Sequence, residues 1–231
     1  MCKKILFIVG VLMIFWGCNS SEETPSPTRL GYDFYPLEVG QYAIYDVFEV
    51  KYQIYTKPDT HTYQIKELVY DTITDLTHEP AFILYRYSRA NSSSTWSLDS
   101  AWLTKRTSYI ALRKENNVDY VRLSFPLKEG LKWNGNQYNT YGEEMYEASD
   151  FDQPYQVLDS TYDKTVTILQ RDEVNAVLKD RRMDVYARNM GLIYKERIQL
   201  TYLQDGGTVG NGDIDHGTYY IQKIREFGNE R

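Results

Sequence analysis

The feature that most constrains this sequence is an alternation of apolar and polar residues with a period of two. In Gln41–Tyr55, tyrosine, isoleucine, phenylalanine and valine occupy one parity, while glutamate, lysine and glutamine enter at the other. Leu192–Tyr202 repeats the pattern, with Lys195, Arg197 and Gln199 at the opposite parity. A period of two is typical of half-buried β-strands. Strands are therefore predicted in these two stretches and in Thr62–Ile73, Ala81–Tyr87, Trp96–Thr104, Ser108–Lys114, Tyr120–Phe125, Gln156–Tyr162, Thr165–Arg171, Met183–Ala187 and Tyr219–Phe227.

Turn-forming residues separate these stretches, for example at Lys57–Asp59, at Asn134–Asn136 and in the glycine-rich segment 205–217. The chain has 22 tyrosines and 8 phenylalanines, and tyrosine suits a sheet surface that is apolar along the ring and hydrated at the hydroxyl. Many short strands with tight connections predict a mainly β protein. The expected architecture is a single antiparallel meander, curled into a barrel, half-barrel or sandwich, with little helix.

The segment Asp172–Arg182 fits two structures. Val174, Val177 and Leu178 would lie on one stripe of a helix, but two short strands explain the segment equally well. Both alternatives stay open at this point.

The N-terminus has the composition of a targeting segment. Met1–Lys4 is basic, and Ile5–Trp16 is an apolar run interrupted only by Gly10. A spanning helix needs about 20 apolar residues, so this run is too short and is typical of a secretory signal.

The residues that follow resemble the lipobox of bacterial lipoproteins, because Cys18 comes directly after Gly17 at the end of the apolar run. The resemblance implies a signal peptide at 1–17 and a diacylglycerol thioether on Cys18, the first mature residue. Phe15 and Trp16 depart from the family, which prefers leucine and a small residue there.

A polar, proline-containing stretch follows and predicts a flexible tether over 18–30, with a single β-rich domain over 31–231. Glu22 and Glu23 resemble the acidic export signal of surface-displayed lipoproteins of the Bacteroidota type. The resemblance implies a cell-envelope protein anchored by lipid in the outer membrane. The periplasmic face and the cell surface both stay open.

The frame Pro-Leu-x-x-Gly occurs at Pro36–Gly40 and again at Pro126–Gly130. Either the frame is a favourable turn that the chain uses twice, or the two copies lie on either side of the entrance to one cavity.

Together, Phe34–Tyr45, Phe125–Trp133 and Asp184–Glu196 resemble uncharacterised envelope lipoproteins of the Bacteroidota type. The last segment is also similar to periplasmic half-barrel proteins related in shape to lipoprotein carriers. The resemblance implies a fold and a compartment but brings no catalytic residues.

Composition excludes several classes of function. The net charge of −6 argues against nucleic acid as a partner, because phosphate backbones recruit basic surfaces. Cys2 and Cys18 are the two cysteines, so a zinc site built on thiolates is not expected. The sequence contains no nucleophile elbow, phosphate loop or dinucleotide fingerprint, and no cofactor is predicted.

Weak metal candidates are Asn211, Asp213 and Asp215, which alternate as calcium ligands do. The glycine of a calcium loop is replaced by His216, and its bidentate acid by Gln222. A hairpin loop without metal is therefore the favoured interpretation.

Glycoside hydrolysis would need two carboxylates held in a cleft, and Glu143, Glu144 and Glu147 are the named candidates. Their neighbours Tyr141 and Tyr146 favour a solvated strand edge or loop instead. No catalytic residue is therefore assigned.

The leading expectation is a non-enzymatic envelope protein that binds a hydrophobic ligand, which could lie on an apolar concave face, or a protein partner. One alternative is a glycan-binding or glycan-processing protein, with Trp96, Trp102 and Trp133 as a stacking platform. Another is a structural subunit of a surface assembly. The expected partners are the membrane, through the N-terminal lipid, and a lipid, a glycan or an envelope protein.

Overall fold

The computed structural model describes residues 26–75, 78–204 and 210–230, and most of them lie in β-strands. A helical turn, α1 (Pro27–Leu30), and a 3-10 turn (Tyr32–Phe34) precede the first strand. The strands are β1 (Gln41–Tyr52), β2 (Asp59–Thr74), β3 (Pro80–Arg89), β4 (Ser97–Arg106), β5 (Ile110–Glu115), β6 (Val118–Ser124), β7 (Lys132–Asn134), β8 (Met145–Val157), β9 (Ser160–Val174), β10 (Leu178–Ala187), β11 (Gly191–Tyr202) and β12 (Ile214–Asn229).

The strands form one antiparallel sheet in the order β6-β5-β4-β3-β2-β1-β12-β11-β10-β9-β8-β7. First and last strands pair, with Gln41 opposite Asn229. The two edge strands approach each other, because the Val121 amide donates a hydrogen bond of 2.9 Å to the Gly135 carbonyl. The Trp133 indole nitrogen also donates to the Val121 carbonyl at 3.0 Å. The predicted mainly β meander is confirmed, and it is a nearly closed barrel.

The strand alternative is right for the segment that fitted both a helix and two strands. Strand β9 ends at Val174 and β10 begins at Leu178. The side chain of Asn175 accepts hydrogen bonds from the amides of Val177 at 2.8 Å and Leu178 at 3.0 Å. This local bonding stabilises a tight turn where a helix would have continued.

The prediction of a strand across Gln156–Tyr162 is wrong. Gln156 and Val157 end β8, Ser160–Tyr162 begin β9, and Leu158 and Asp159 form the turn between them, with a φ of 53° at Leu158. The apolar and polar residues alternate through the turn because both flanking strands alternate, so the pattern alone did not reveal the break.

The segment 26–40 packs against one end of the barrel, here called the base. Its Leu30 carbonyl accepts a hydrogen bond of 3.0 Å from the Leu127 amide, and the Tyr32 hydroxyl donates to the Ser108 carbonyl at 3.0 Å. Arg188 donates to both oxygens of Asp33 and of Asp152 at 2.6 to 2.9 Å. The last residues of the predicted tether, 26–30, therefore contact the domain. The opposite end, here called the far end, is where odd-numbered strands finish and even-numbered strands begin.

The two Pro-Leu-x-x-Gly frames occupy equivalent places. Gly40 precedes β1 and donates its amide to the Val69 carbonyl at 2.8 Å, while Gly130 precedes β7 and donates to the Ala148 carbonyl at 2.8 Å. Their φ angles of 91° and 71° suit glycine. Each frame thus leads the chain into a half of six strands, β1–β6 or β7–β12, and pairs with the second strand of that half.

The hydrophobic core lies next to the base, inside the barrel. Phe34 of the N-terminal segment is completely buried there, as are Leu123, Ile168 and Ile193 from strands or turns around the sheet. The core therefore joins the N-terminal segment to both halves. No helix in the described part of the chain is long and apolar enough to cross a membrane.

Candidate functional site

A groove of about 640 Å³ runs along the outer face of β1 and β12, and it is here called the outer groove. Phe48 lies opposite Ile221, and Val50 opposite Tyr219, so these four side chains share one face. Phe48 is 41% exposed, while Val50 and Ile221 are nearly buried. The rings of Phe48 and Tyr219 meet edge to face at 6.1 Å. The floor is thus apolar and reachable from solvent, as in small-molecule sites.

Polar residues form one side of the outer groove. Arg225 contacts both carboxylate oxygens of Asp46 at 2.8 and 2.7 Å, and Gln64 donates to the same carboxylate at 2.7 Å. Arg89 donates to Gln64 at 2.8 Å and lies 4.1 Å from the ring centroid of Trp96. This series of contacts links the β3–β4 hairpin, whose residues 90–92 line the groove, to the sheet.

A second feature lies in the barrel interior and is here called the interior cluster. In it, three carboxylates each contact an arginine at a distance between 2.6 and 3.2 Å. The cluster consists of the pairs Glu67–Arg113, Glu115–Arg122 and Asp184–Arg197, together with Lys195.

Contacts between distant strands place this cluster in the interior. Glu67 on β2 contacts Arg113 on β5 across two intervening strands. Glu115 on β5 and Lys195 on β11 interact electrostatically, although five strands separate β5 from β11 in either direction around the barrel. Such side chains can meet only across the lumen. The interior therefore contains charged groups, and the void that Glu67 and Arg113 line measures about 50 Å³.

The surroundings shift the ionisation of the cluster. Burial lowers the pKa of Lys195 to about 8, although Glu115 and Asp184 act to raise it. Burial raises the pKa of Glu115, but Arg122, Lys195 and Arg113 outweigh it and hold that pKa below its ordinary value. Neighbouring cations likewise lower the pKa of Asp184 against its burial, so Glu115 and Asp184 are ionised at neutral pH, whereas burial destabilises the charged form of Lys195.

The sequence matches no protein-family model, and no curated protein is significantly similar to it. A crystal structure of a candidate lipoprotein from Parabacteroides distasonis is similar to this chain at 13% identity, with a TM-score of 0.35. The match covers 84% of this chain and 98% of that one.

The three candidate carboxylates do not form a pair in a cleft. Glu144 contacts Arg182, and Glu147 contacts Lys132 at 3.1 Å. Glu143 is exposed in the loop before β8. Each has its own surroundings, so the structure does not bring them together.

The three tryptophans do not form a platform either. Trp102 and Trp133 are each 7% exposed, and Trp133 lies in the core near the β6–β7 seam. Trp96 is half-buried beneath Arg89 at the β3–β4 hairpin. Their separation removes the observation on which a tryptophan-based glycan platform depended.

The weak metal candidates lie near the start of β12. Asn211 and Asp213 are exposed in the turn, and Asp215 contacts the His216 ring at 2.7 Å. Among the residues that the structure describes, no three or more His, Cys, Asp or Glu side chains are grouped to hold a metal ion. The lipidation candidate Cys18 lies outside the described residues.

The sequence interpretation found neither the outer groove nor the interior cluster. The alternation in β1 identified Phe48 and Val50 as sharing a face, but it could not say that β12 extends that face. The sequence interpretation placed Lys195 and Arg197 on the polar face of a half-buried strand. That parity faces the interior, and no signal within one strand separates a charged lumen from solvent.

Proposed function

We propose that this chain is a lipid-anchored protein of the cell envelope that binds a hydrophobic ligand in the outer groove without catalysing a reaction. The observation that carries the proposal is the apolar floor formed by Phe48, Val50, Tyr219 and Ile221, in which the Phe48 ring is 41% exposed. Apolar surface of this kind gains free energy when a ligand removes it from water.

The geometry favours the outer groove over the lumen as the ligand site. The lumen contains ion pairs and, near the base, core side chains, whereas the outer groove has about 640 Å³ of space and an apolar floor. A hydrophobic ligand would desolvate ionic groups in the lumen, which is costly. In the outer groove, the same ligand would remove the exposed ring of Phe48 from water and would contact apolar side chains around it.

The anchor is the second part of the proposal. Its support is the sequence around Cys18, where a short apolar run, a glycine and a cysteine follow a basic start. Metabolic labelling with an alkyne fatty acid tests it, since the wild-type chain should carry the label and the Cys18→Ser variant should not. Equal labelling of both chains would contradict lipidation at this residue.

Native mass spectrometry tests ligand binding with the full chain taken from its envelope in a non-ionic detergent. We expect a lipid-sized adduct that organic extraction removes. Phe48→Ser deletes part of the apolar floor at an exposed position, so the fold should persist while occupancy falls about five-fold, which corresponds to roughly 1 kcal/mol of lost burial.

Tyr109→Ser is the matched control, because Tyr109 is an exposed aromatic residue at the base, outside the groove. Its adduct should equal that of the wild type. The proposal is wrong if the wild type carries no extractable adduct, or if Phe48→Ser retains it fully.

A further inference from the structure

The interior cluster has more cations than carboxylates. Each carboxylate contacts its own arginine, as described above, and Asp184 accepts a further hydrogen bond of 2.9 Å from Gln170. Lys195 is the cation left over: among the described residues it makes no hydrogen bond or ion pair. One positive charge in the lumen therefore has no anion in direct contact.

A buried amide beside Lys195 also lacks an acceptor. Gln222 lies directly opposite Lys195 on the neighbouring strand and is 2% exposed. The Oε1 atom of Gln222 accepts a hydrogen bond of 2.7 Å from the Tyr220 hydroxyl, but its Nε2 has no partner within the described chain. An unpaired buried donor costs free energy, so an acceptor at this position would be stabilising.

We propose that Lys195 and Gln222 form a binding site in the lumen for a small molecule bearing one carboxylate. The Nζ and Nε2 donors stand on adjacent strands, where side chains directly opposite lie about 5 Å apart, and two such donors suit the two oxygens of a carboxylate. Lys195 is half-buried, so part of its side chain is in contact with solvent, whereas the Gln222 amide is enclosed. This proposal is independent of ligand binding in the outer groove.

The charges around Lys195 favour a monoanion. Glu115 and Asp184 are close enough to affect it, as are Arg122 and Arg197, but each of these arginines already contacts one of those carboxylates. A carboxylate ligand would balance the one surplus charge. A phosphate dianion would place an additional negative charge near Glu115 and Asp184, which repel it.

Protection of Lys195 against reductive methylation tests the site in the full chain, in a non-ionic detergent at pH 8. The probes are sodium acetate, inorganic phosphate and sodium chloride at equal ionic strength, and peptide mass spectrometry measures methylation at each lysine. We expect acetate to reduce methylation of Lys195 at least five-fold, with half-protection on the order of 10 mM, as two charge-assisted hydrogen bonds would give. Lys223, on the opposite face of β12, is the internal control and should be unaffected.

The variant Gln222→Leu keeps the volume of the side chain and removes the amide. It should raise the acetate concentration for half-protection about five-fold or more. Methylation of Lys195 that acetate leaves unchanged in the wild type would overturn the site. Stronger protection by phosphate than by acetate would overturn its assignment to a carboxylate, and unchanged protection in Gln222→Leu would remove Gln222 from it.

Discussion

Lys195 shows how a single residue can make stability depend on pH. The pKa of Lys195 is about 8 in the folded chain because burial disfavours the ammonium, whereas an unfolded lysine has a pKa of about 10.4. Between these values the unfolded chain binds more protons, so the free energy of unfolding rises with pH. The contribution of Lys195 is fully present above pH 10.4 and is lost as pH falls through 8.

The variant Lys195→Met should lack this dependence. Relative to the variant, the wild type should gain up to about 1.4 kcal/mol in the free energy of unfolding for each pH unit between 8 and 10. Urea unfolding of both chains at pH 7, 8, 9 and 10 measures the difference, with Lys223→Met as the control lysine on the outer face. A difference that stays constant over this range would contradict the lowered pKa.

At the same scale, the sequence predicted which residues alternate but not which way they point. Val47 and Gln222 face each other across β1 and β12 in the interior, whereas Phe48 and Ile221 face each other outside. Alternation assigns residues to two faces of a strand, and only the neighbouring strands decide which face is the lumen. Alternation therefore cannot distinguish a charged side chain that faces the lumen, such as that of Arg113, from one that faces solvent.

Among the elements, the short strand β7 closes the barrel against β6. The carbonyl of Gly135, just after β7, accepts the hydrogen bond from Val121. A Cβ atom at Gly135 would lie 2.2 to 2.6 Å from the ring atoms of Tyr146, whose side chain is 2% exposed. Glycine is thus required here by a close approach between the chain and a buried ring.

The variant Gly135→Ala should therefore displace the Tyr146 ring and weaken the seam. We expect a loss of about 1–3 kcal/mol in the free energy of unfolding, the usual cost of overpacking a core. Gly142→Ala is the matched control, because a Cβ atom there meets nothing within 4 Å. Urea unfolding measures both variants, and equal stabilities would show that the ring yields without cost.

Sequence patterns predicted the long strands best and the seam least. Alternation over Gln41–Tyr55 and Leu192–Tyr202 located β1 and β11 closely, because long runs contain many matches to a period of two. Strand β7 has three residues and β8 changes register around Asp150–Asp152, where positive φ angles occur. Elements so short or irregular contain too few repeats for a pattern to identify them.

At the scale of the whole molecule, the two Pro-Leu-x-x-Gly frames have equivalent structural roles, which so short a sequence pattern could not establish. Each introduces six antiparallel strands, and the two halves join through β1 with β12 and through the β6–β7 seam. The segments that precede the two frames also meet at the base, where the rings of Tyr32 and Phe125 lie 4.9 Å apart. They form a structural joint between the halves, and the outer groove lies on the sheet surface at the β1–β12 junction.

The same architecture, with the proposed lipid on Cys18, orients the molecule on a membrane. Eight residue steps separate Cys18 from Ser26, which reach at most about 29 Å when extended. The segment 26–40 is fixed to the base, so the base should face the bilayer. Strands of 12 to 16 residues, such as β1 and β12, then carry the far end about 30 Å or more farther away, allowing for tilt.

Energy transfer from a single label to acceptor lipids in vesicles measures this orientation. Tyr109 at the base and Tyr55 at the far end are both exposed, and a cysteine at either would be the one free thiol of the mature, lipidated chain. We expect clearly stronger transfer from a label on Tyr109→Cys than on Tyr55→Cys, because transfer falls steeply with distance. Equal transfer would mean that the domain turns freely on its anchor, and stronger transfer from position 55 would reverse the orientation and bring the far-end loops to the membrane.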